Sequence, residues 1–581
     1  MNNSRTIATS QSADLVSFSI LIEGTELSAV YQVQHISVEK ELNRIPYAQL
    51  VFFDGTAAEQ DFELSNEDLL VPGKEIEIKA GYHNEVETIF KGIVIKQQIK
   101  IRENTSLLVV ECRDKAVQMT IGRKSAYFYE SSDSEIIETI ANAYPVSISA
   151  EATTVTHKEM VQYRSSDWDF ILTRAQANGL VCLVDDGSIA FKKPDLSQEP
   201  IETVAFGATL LAFDAEMDAR NQFKNITAYG WNPSDQEVLE AEAADPNLNL
   251  NGNISAATLA ETVAPDKLEL KHGGIANTDV LKQWGDAKAT FQQLAKTRGR
   301  IKFQGIPAVK PNTKIMLEGV GDRFSGGVYI SAVKHQIADG NWTVDAEFGM
   351  NPKWFSETFD VSENPAAGLL PAVNGLQIGL VTQLEDDPDA QDRILVRLPI
   401  INNEEQGIWA RVASTDAGDS RGVFFRPEIG DEVLVGFINN DPNHAFVLGS
   451  LHSSNKPAPI VASDDNHEKG IVTRSGMRLL FNDDTNTVTL DTPNGNQIIL
   501  DEDSGSMTLT DENGNKVLMD SDGVCIESSK DLKLKAAGDV TMEGTNINIK
   551  ANAQLVAEGG AGAELSTSAI AVLKGSLVQI N

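Results

Sequence analysis

The sequence predicts a mainly β protein of several domains with a rod-like last part. Three glycines there, Gly476, Gly495 and Gly514, stand 19 residues apart, and each is followed three residues later by three apolar residues. Glycine permits the positive φ of tight turns, so this repeat indicates short strands joined by hairpins. At 581 residues the chain is also too long for one hydrophobic core.

Beyond Gly514 the repeat shortens, and pairs of apolar residues alternate with polar ones. These pairs, which predict further strands, are Leu532 and Leu534, Val540 and Met542, and Ile547 and Ile549. One such unit cannot bury its apolar face alone, whereas stacked copies can. The repeat therefore predicts a β-solenoid or a β-prism wound from several chains, and its free strand edges favour pairing with another chain.

The charge of the chain restricts its partners. It carries 84 Asp and Glu against 48 Lys and Arg, a formal net charge of -36. Phosphate binding requires clustered Lys and Arg, so this balance argues against nucleic acid and against an anionic membrane surface.

The cysteines and the N-terminus indicate a protein made in a reducing cytoplasm. Cys112, Cys182 and Cys525 are far apart, which argues against a disulfide framework and a cysteine-based metal site. The segment Met1 to Ala13 is polar and resembles no secretory signal. No run of about 18 apolar residues predicts a membrane helix.

The first 355 residues read mainly as strands, interrupted by three predicted helices. Strands are predicted from about Asp14 to Glu111, and helices over Ser134 to Ala143, Ser166 to Ala177 and Asp279 to Lys296. The acidic, polar stretch from Asn232 to Glu261 is predicted to be a surface excursion. Strands are predicted again from Arg300 to Phe348.

Residues Gly375 to Leu451 form a separate β module. Five or six short strands separated by Gly-Asp and Asp-Pro turns occupy fewer than 80 residues. Strands this short and this close together predict a small closed barrel.

Several residues could carry chemistry, and each has a simpler interpretation. The acidic residues Asp501, Glu502, Asp503, Asp520 and Asp522 could bind Ca²⁺ or form solvated turns.

The other candidates are weaker. Trp409 and Phe437 could stack on bases or sugars, or pack in a core. Gly319 to Gly321 is a turn rather than a phosphate loop, because no helix follows it. His467-Glu468 lacks the second His of a zincin. We expect no cofactor and no metal.

The β module also carries an ordered set of motifs. They are Asp387-Pro388-Asp389, Arg393 to Arg397, Trp409 to Val412, Phe425 to Val435, Asp441-Pro442 and Leu448-Gly449. This set resembles the OB-fold domain of VgrG spike proteins and related phage tail spikes, and Lys469 to Gly476 resembles that family's passage into its needle. Upstream, Ala80 to Val94, Ser166 to Ile171 and Gly326 to Ile330 with His335 are similar to the family's hub of paired barrels.

The resemblance implies an architecture. It has a two-barrel, phage-hub-like N-terminal region with a few helices, an OB-fold barrel and a C-terminal triple-stranded β-prism or β-helix needle in a homotrimer. The expected domains are a flexible N-terminus (1–13), the hub (14–355), a linker (356–367), the OB-fold domain (368–452), a linker (453–470) and the needle (471–581).

The resemblance also implies a function and partners. The hub would sit on a hexameric inner tube protein among baseplate proteins, and the needle would puncture the target membrane mechanically. A PAAR-like tip protein and effectors are further expected partners. We expect the cap to pair with free strand edges at Leu577, Val578, Ile580 and Asn581. Assembly would take place in the cytoplasm of the producing cell, in a particle that acts outside it.

We expect no enzyme activity, because only about twenty residues, His452 to Ile471, separate barrel and needle, too few for a catalytic domain. Two alternatives stay open: a phage-type tail spike with a cell-wall hydrolase role, and a trimeric adhesin or tail fibre.

Overall fold

The computed structural model describes residues 15–103, 105–263, 265–275 and 277–580, and the backbone alone of Ile275. The segment 1–13, predicted to be flexible, lies outside these ranges. The chain divides into two compact units, residues 1–374 with 437–444, and residues 375–436 with 445–581. Both units are built mainly from strands, so the predicted fold class is confirmed.

The first unit begins with an antiparallel barrel-like sheet. Its elements are β1 (Val16–Ile22), β2 (Thr25–Glu26), β3 (Val33–Glu41), β4 (Tyr47–Phe53), α1 (Glu63–Asn66), β5 (Glu75–Tyr82), β6 (Glu85–Arg102) and β7 (Thr105–Arg113). The strands pair in the order β3-β4-β7-β6-β5-β1-β2. Alternate residues point inward, so Leu50, Phe52 and Ile78 are fully buried.

A mixed segment with two helices follows. After a 3₁₀ turn (Lys115–Thr120) it contains β8 (Lys124–Ser132), α2 (Asp133–Ala141), β9 (Ser147–Ala150), β10 (Thr156–Ser165), α3 (Asp167–Ala177), β11 (Val181–Asp185) and β12 (Ser188–Lys192). Strands β8 and β10 pair with each other, and β12 lies between β9 and β11.

Both helices lie close to the predicted positions. Helix α2 begins one residue earlier than predicted because Ser132 caps it: the Glu135 carboxylate accepts the backbone N–H of Ser132, and the Ser132 hydroxyl accepts that of Glu135. It ends at Ala141, short of the predicted Ala143. Helix α3 is capped by Ser166, as its sequence indicated.

The first turns of these helices each hold a buried carboxylate. Asp133 accepts hydrogen bonds from Arg174 (Nε to Oδ1, 2.7 Å; Nη2 to Oδ2, 2.8 Å) and from Asn178 (2.8 Å). Burial alone would raise the pKa of Asp133, but these donors and the Arg174 charge outweigh it and lower the pKa. Asp167 is held in the same way by Lys124 and Gln162, and its pKa is also lowered.

The rest of the first unit supplies further strands of the same large sheet and a separate three-stranded sheet, β16-β15-β17. Its elements are β13 (Glu202–Ala205), β14 (Ala212–Met217), β15 (Asn225–Asn232), β16 (Glu237–Glu242), α4 (Ala256–Ala260), β17 (Lys267–Ile275), α5 (Thr278–Leu294), β18 (Thr297–Gln304), β19 (Lys314–Glu318), β20 (Gly326–Ala338), β21 (Asn341–Phe348), α6 (Phe355–Thr358) and a 3₁₀ turn (Pro365–Gly368).

The strands from the two parts of the first unit join in one 13-stranded sheet. Strands β14-β18-β21-β20 continue into β3, and β13 joins through β19 to β20. Helix α5 begins one residue before its predicted start and is capped by Asn277. The prediction that Asn232 to Glu261 is only a surface excursion was wrong in part, because β16 pairs there with β15 and α4 forms. Ala241 of β16 packs into a small core with Leu281 of α5, which the acidic composition concealed.

The second unit starts with the predicted closed barrel. Its strands are β22 (Gln377–Gln383), β23 (Arg393–Arg397), β24 (Ile408–Val412), β25 (Ala417–Gly418), β26 (Arg421–Gly422), β27 (Glu432–Phe437) and β28 (Ala445–Ser450), with a 3₁₀ turn at Ile438–Asn440. Five of them close in the order β22-β23-β24-β28-β27, which confirms the barrel. Val396, Ala410 and Val447 are fully buried within it.

A seven-stranded antiparallel meander follows the barrel. It consists of β29 (Glu468–Val472), β30 (Arg478–Asn482), β31 (Thr487–Asp491), β32 (Gln497–Asp501), β33 (Ser506–Thr510), β34 (Lys516–Asp520) and β35 (Gly523–Glu527). Each strand pairs with its sequence neighbours. We call this sheet, together with residues 528–580, the needle segment.

Candidate assembly surface and tip

The turns of the needle segment form where the glycine repeat places them. Gly476, Gly495 and Gly514 adopt φ of 82°, 97° and 84°, the left-handed region that glycine enters without strain. At the last of these turns the Asp511 carboxylate accepts the backbone N–H groups of Asn513 (3.0 Å) and Asn515 (2.8 Å). The 19-residue repeat is therefore two strands and their two turns.

The strand register places most, but not all, of the apolar residues of the meander on one face. Cross-strand partners include Val488 with Leu500, Ile498 with Leu509, and Met507 with Met519, in each case on the same side of the sheet. We call this side the apolar needle face; its residues are Ile471, Leu479, Phe481, Val488, Leu490, Ile498, Leu500, Met507, Leu509, Val517, Met519, Val524 and Ile526.

The apolar needle face is not covered within the chain. Leu490 is 48% exposed, and Val524 at the last strand is 68% exposed. Monomeric soluble proteins rarely expose a continuous apolar surface of this extent, and larger patches of this kind mark interaction sites. The face is therefore the strongest candidate functional surface of the second unit.

The opposite face of the same sheet is mainly polar and partly ion-paired, although Leu480, Ile499 and Leu518 also lie on it. Arg478 donates from Nε to Asp491 Oδ1 at 3.0 Å across the β30–β31 pair, and the hydrogen bond from Arg478 lowers the pKa of Asp491. Thr489, Thr508 and Asp501 lie on this side. The contrast between the two faces fixes the register, because a slip of one residue would exchange them.

Residues 528–580 differ from the prediction. The strands expected at Leu532 and Leu534, and at the later pairs up to Ile549, are absent from this described stretch, and these side chains are exposed. A strand exists only when its backbone groups pair with another strand, and here the single chain supplies no neighbour to these pairs. The sequence of this stretch has the alternation of a strand, but the described part of the chain offers no neighbouring strand with which it could pair.

The predicted tip residues fall at the end of this stretch. Leu577, Val578 and Ile580 are exposed, at 77%, 49% and 88%. Asn581 lies outside the described residues. The three described side chains are apolar and uncovered, but they are not part of a strand.

The acidic cluster of the needle segment is occupied by turn hydrogen bonds. Asp501 accepts the N–H of Ser504 (3.0 Å), and Asp503 accepts from the Asn486 side chain (3.0 Å). Among the residues that the structure describes, no three His, Cys, Asp or Glu side chains lie close enough together to hold a metal ion.

The barrel motifs have structural roles that the sequence did not show. Asp387 accepts from Arg393 Nε (3.0 Å) and from the backbone N–H of Gln391 (2.7 Å), so it closes the loop between β22 and β23. The hydrogen bond from Arg393 holds the pKa of Asp387 far below its usual range.

Two ion pairs tie later residues to the barrel. Glu428 binds Arg474 at the start of the needle segment (Oε2 to Nη1, 2.8 Å), and Asp431 binds Lys456 of the connecting stretch (2.7 Å). The sequence did not predict these two ion pairs, because each joins residues from turns that are distant along the chain.

The remaining candidates find ordinary structural roles. Phe437 is buried and Trp409 is half-buried, while Gly319 and Gly321 lie in the turn between β19 and β20. None of the helices in the described ranges has both the length and the apolar character that a membrane span requires.

Two family matches cover most of the chain. Residues 12–339 match the Alg8 N-terminal domain. Residues 377–452 match the type VI secretion system/phage-baseplate injector OB domain, which coincides with the closed barrel. The first match alone covers more than half of the 581 residues.

Individual relatives match shorter stretches. The chain is 30% identical over 112 residues to the type VI secretion system spike protein VgrG3 of Vibrio cholerae, covering 18% of this chain and 11% of that protein. It is 30% identical over 74 residues to the spike protein VgrG1a of Pseudomonas aeruginosa, covering 13% of this chain and 12% of that protein. The chain thus spans about a tenth of the length of these relatives.

A solved structure resembles it at low identity. The 43 kDa tail protein of prophage MuSo2 from Shewanella oneidensis aligns with a TM-score of 0.44 and 12% identity, over 58% of this chain and 98% of that protein. From these matches we conclude that the chain belongs to the Alg8 N-terminal domain family, and that it is similar to VgrG spike proteins.

Proposed function

We propose that the protein is the structural spike of a contractile injection system, a trimeric hub, adaptor and needle that caps the inner tube. The observation that carries the proposal is the uncovered apolar needle face, in a chain whose curated relatives are spike proteins. The proposed domains are the hub (14–355), the OB-fold adaptor (368–452) and the needle (471–581), with linkers between them.

The apolar needle face gives the physical reason for an oligomer. Each fully buried Val, Leu, Ile, Phe or Met side chain stabilises a structure by about 1.5–3 kcal/mol. Like faces from copies of this chain would cover one another, because all seven strands present the same side. The number three comes from the VgrG resemblance, in which three needle segments form a prism around one apolar interior.

The same association would complete the unpaired stretch after Glu527. Its alternating pairs, such as Leu532 with Leu534, already have the period of a strand. In a trimer the neighbouring copies supply the strands that one chain lacks. Backbone pairing would then run along the whole needle, leaving no compliant loop in the direction of load.

The proposed action is mechanical. Sheath contraction drives the tube and its spike forward, and the needle punctures the target envelope. The partners are the hexameric inner tube protein, baseplate proteins and effectors carried on the spike. Assembly takes place in the cytoplasm of the producing cell, and the particle acts outside it. Curated relatives named as spike proteins support a role without catalysis for the stretches that match, although another relative is named an actin cross-linking toxin.

The tip is proposed to carry a small PAAR-like cap. Once the trimer forms, Leu577, Val578 and Ile580 would present apolar side chains to it, and these residues with Asn581 would present strand edges. The test is a spike lacking residues 571–581, purified from cells that make the cap protein. Loss of the cap from this spike is the expected result, and its retention would remove these residues from the tip proposal.

The mass of the purified protein in solution tests the function itself. Light scattering should give three times the chain mass of 63.0 kDa. A matched sample that ends at residue 467 retains hub and barrel and shows whether the needle segment is required. A monomeric full-length chain would contradict the spike.

A further inference from the structure

A small cavity lies in the first unit, beside the short connection between α5 and β18. Its volume is about 10 Å³. Leu250, Leu294 and Phe348 contribute apolar walls, and Lys296 and Thr297 contribute polar ones. A space of this size holds about one water-sized molecule. The cavity is therefore too small for a substrate or a cofactor, and it suits a single small ligand.

The ammonium group of Lys296 is the first polar group at the cavity. Lys296 is 3% exposed, and its Nζ donates to the backbone carbonyls of Asn251 (2.8 Å) and Ile254 (3.0 Å). Burial lowers the pKa of Lys296, and no carboxylate among the described residues opposes this shift. An ammonium group carries three N–H donors, so these two carbonyls leave one donor over.

The hydroxyl of Thr297 is the second polar group. Thr297 is 4% exposed, and none of the residues that the structure describes forms a hydrogen bond with its Oγ1 atom. Buried hydroxyls are hydrogen-bonded in most proteins, because burying one without a partner is unfavourable. Tyr329 also lines the cavity, but its hydroxyl already donates to Asn312 Oδ1 at 2.7 Å. Two neighbouring side chains thus line one cavity with hydrogen-bonding capacity to spare.

A water molecule matches both of these groups. It can accept a hydrogen bond from the Lys296 ammonium group, and it can donate to the Thr297 hydroxyl or accept from it. Buried waters occupy polar sites of this kind, where they satisfy groups that have no other partner. A chloride ion would also be attracted by Lys296, but it is larger than water, and a chain with a net charge of -36 disfavours an anion.

We propose that one water molecule is bound in this cavity and bridges Lys296 Nζ and Thr297 Oγ1. Through Lys296 the water is connected to the carbonyls of Asn251 and Ile254, so it helps to hold residues 250–254 against the start of β18. Asn251 is only 7% exposed, although the stretch around it is polar. All these residues belong to one chain, so the site is expected in a monomer and in a trimer alike.

Crystals of the full-length protein test the site directly, one native and one soaked in bromide. We expect an electron-density peak within hydrogen-bonding distance of both Lys296 Nζ and Thr297 Oγ1, without anomalous signal from bromide. A cavity without such a peak would overturn the proposal. An anomalous bromide signal at this position would also overturn it, because the ligand would then be an anion.

The stability of a Thr297→Val variant tests the same site in solution. Valine keeps the shape of threonine but removes the hydroxyl, so the water loses one partner, and the equilibrium constant for unfolding of the hub should rise about tenfold. Urea unfolding of the full-length chain, followed by tryptophan fluorescence, measures it. An equally stable or more stable variant would show that the hydroxyl has no partner and would overturn the water site.

Ser37→Ala is the matched control for this measurement. Ser37 Oγ is also buried without a hydrogen-bond partner among the described residues, but Ser37 does not line the cavity. Removing its hydroxyl should therefore leave the unfolding constant unchanged or lower it. An equal rise in both variants would mean that the cavity has no special role, and it would overturn the proposal.

Discussion

Hub and needle segment are built from strands with the same alternation, but only the hub buries its apolar residues. In the hub, Leu50 on β4 and Ile78 on β5 are fully buried. In the needle segment, the paired residues Leu490 and Ile498 remain 48% and 40% exposed. The hub curves its strands around a core, whereas the meander is a single layer that no other described part of the chain covers. Stability of the hub is thus a property of one chain, and in the proposed trimer the second layer of the needle would come from the other copies.

The largest change in the mass of the assembly is expected when a charge is placed on the apolar needle face. Leu509→Asp would place a carboxylate in each of the three copies at the shared interior, where an unpaired charge costs several kcal/mol. We expect the mass in solution to fall about threefold. Thr508→Asp on the opposite face of the same strand is the control and should leave the mass unchanged. Equal behaviour of the two variants would show that this face is not the interface.

A cavity in the hub core should lower the stability of each chain without changing the mass of the assembly. Leu50→Ala removes a fully buried side chain and should lower the free energy of unfolding of the hub by about 2–5 kcal/mol. Urea unfolding followed by tryptophan fluorescence measures it. The exposed Glu87→Ala is the control, with a change of about 0.5 kcal/mol or less. The mass of the assembly should stay that of three chains, and dissociation would mean that needle association depends on the hub core.

Removing one partner of a buried ion pair should lower the free energy of unfolding of the hub by a comparable amount. Arg174→Met leaves the fully buried Asp133 carboxylate without its main donor, at a cost of about 3 kcal/mol in hub stability. Lys271→Met, at an exposed pair with Glu269, is the control and should change little. A stable Arg174→Met variant would indicate that Asn178 and His157 satisfy the carboxylate without Arg174.

The same carboxylate makes hub stability depend on pH. Its pKa in the folded protein is below the ordinary value of 3.8, so its contribution is present above that pH. The contribution is lost as pH falls through the folded pKa, because the unfolded chain then binds the proton more tightly. Urea unfolding between pH 7 and pH 3 should show a loss below about pH 4. An Asp133→Asn variant should lose less stability over the same pH range. If its stability instead fell with pH as in the unaltered protein, other acidic residues would be the cause of the loss.

The smallest effect is expected on the polar side of the needle. Arg478→Gln removes the cross-strand ion pair with Asp491, which lies on the face that we place outward in the trimer. The mass in solution should remain that of three chains, with only a small fall in the melting temperature of the needle. Dissociation of this variant would reverse the assignment of inner and outer faces.

The sequence by itself determined the features that depend on local geometry. Glycine at 476, 495 and 514 specified the turns because positive φ is a property of one residue, and alternation specified which face of each strand is apolar. Ser166 specified the start of α3, since a cap needs only its own first turn, whereas for α2 the sequence left Ser132 and Asp133 both open as the cap. The closed barrel followed from strand length and spacing.

Tertiary structure decided the features that depend on partners distant in sequence. The strand pairing of β16, concealed by an acidic composition, required the core around Leu281. The Asp133 network and the cavity beside Lys296 depend on which elements meet, which no local pattern encodes. The pairs from Leu532 to Ile549 show that a local pattern alone does not make a strand. Their alternation is a property of the sequence, but a strand needs a neighbouring strand, and the described part of the chain does not provide one.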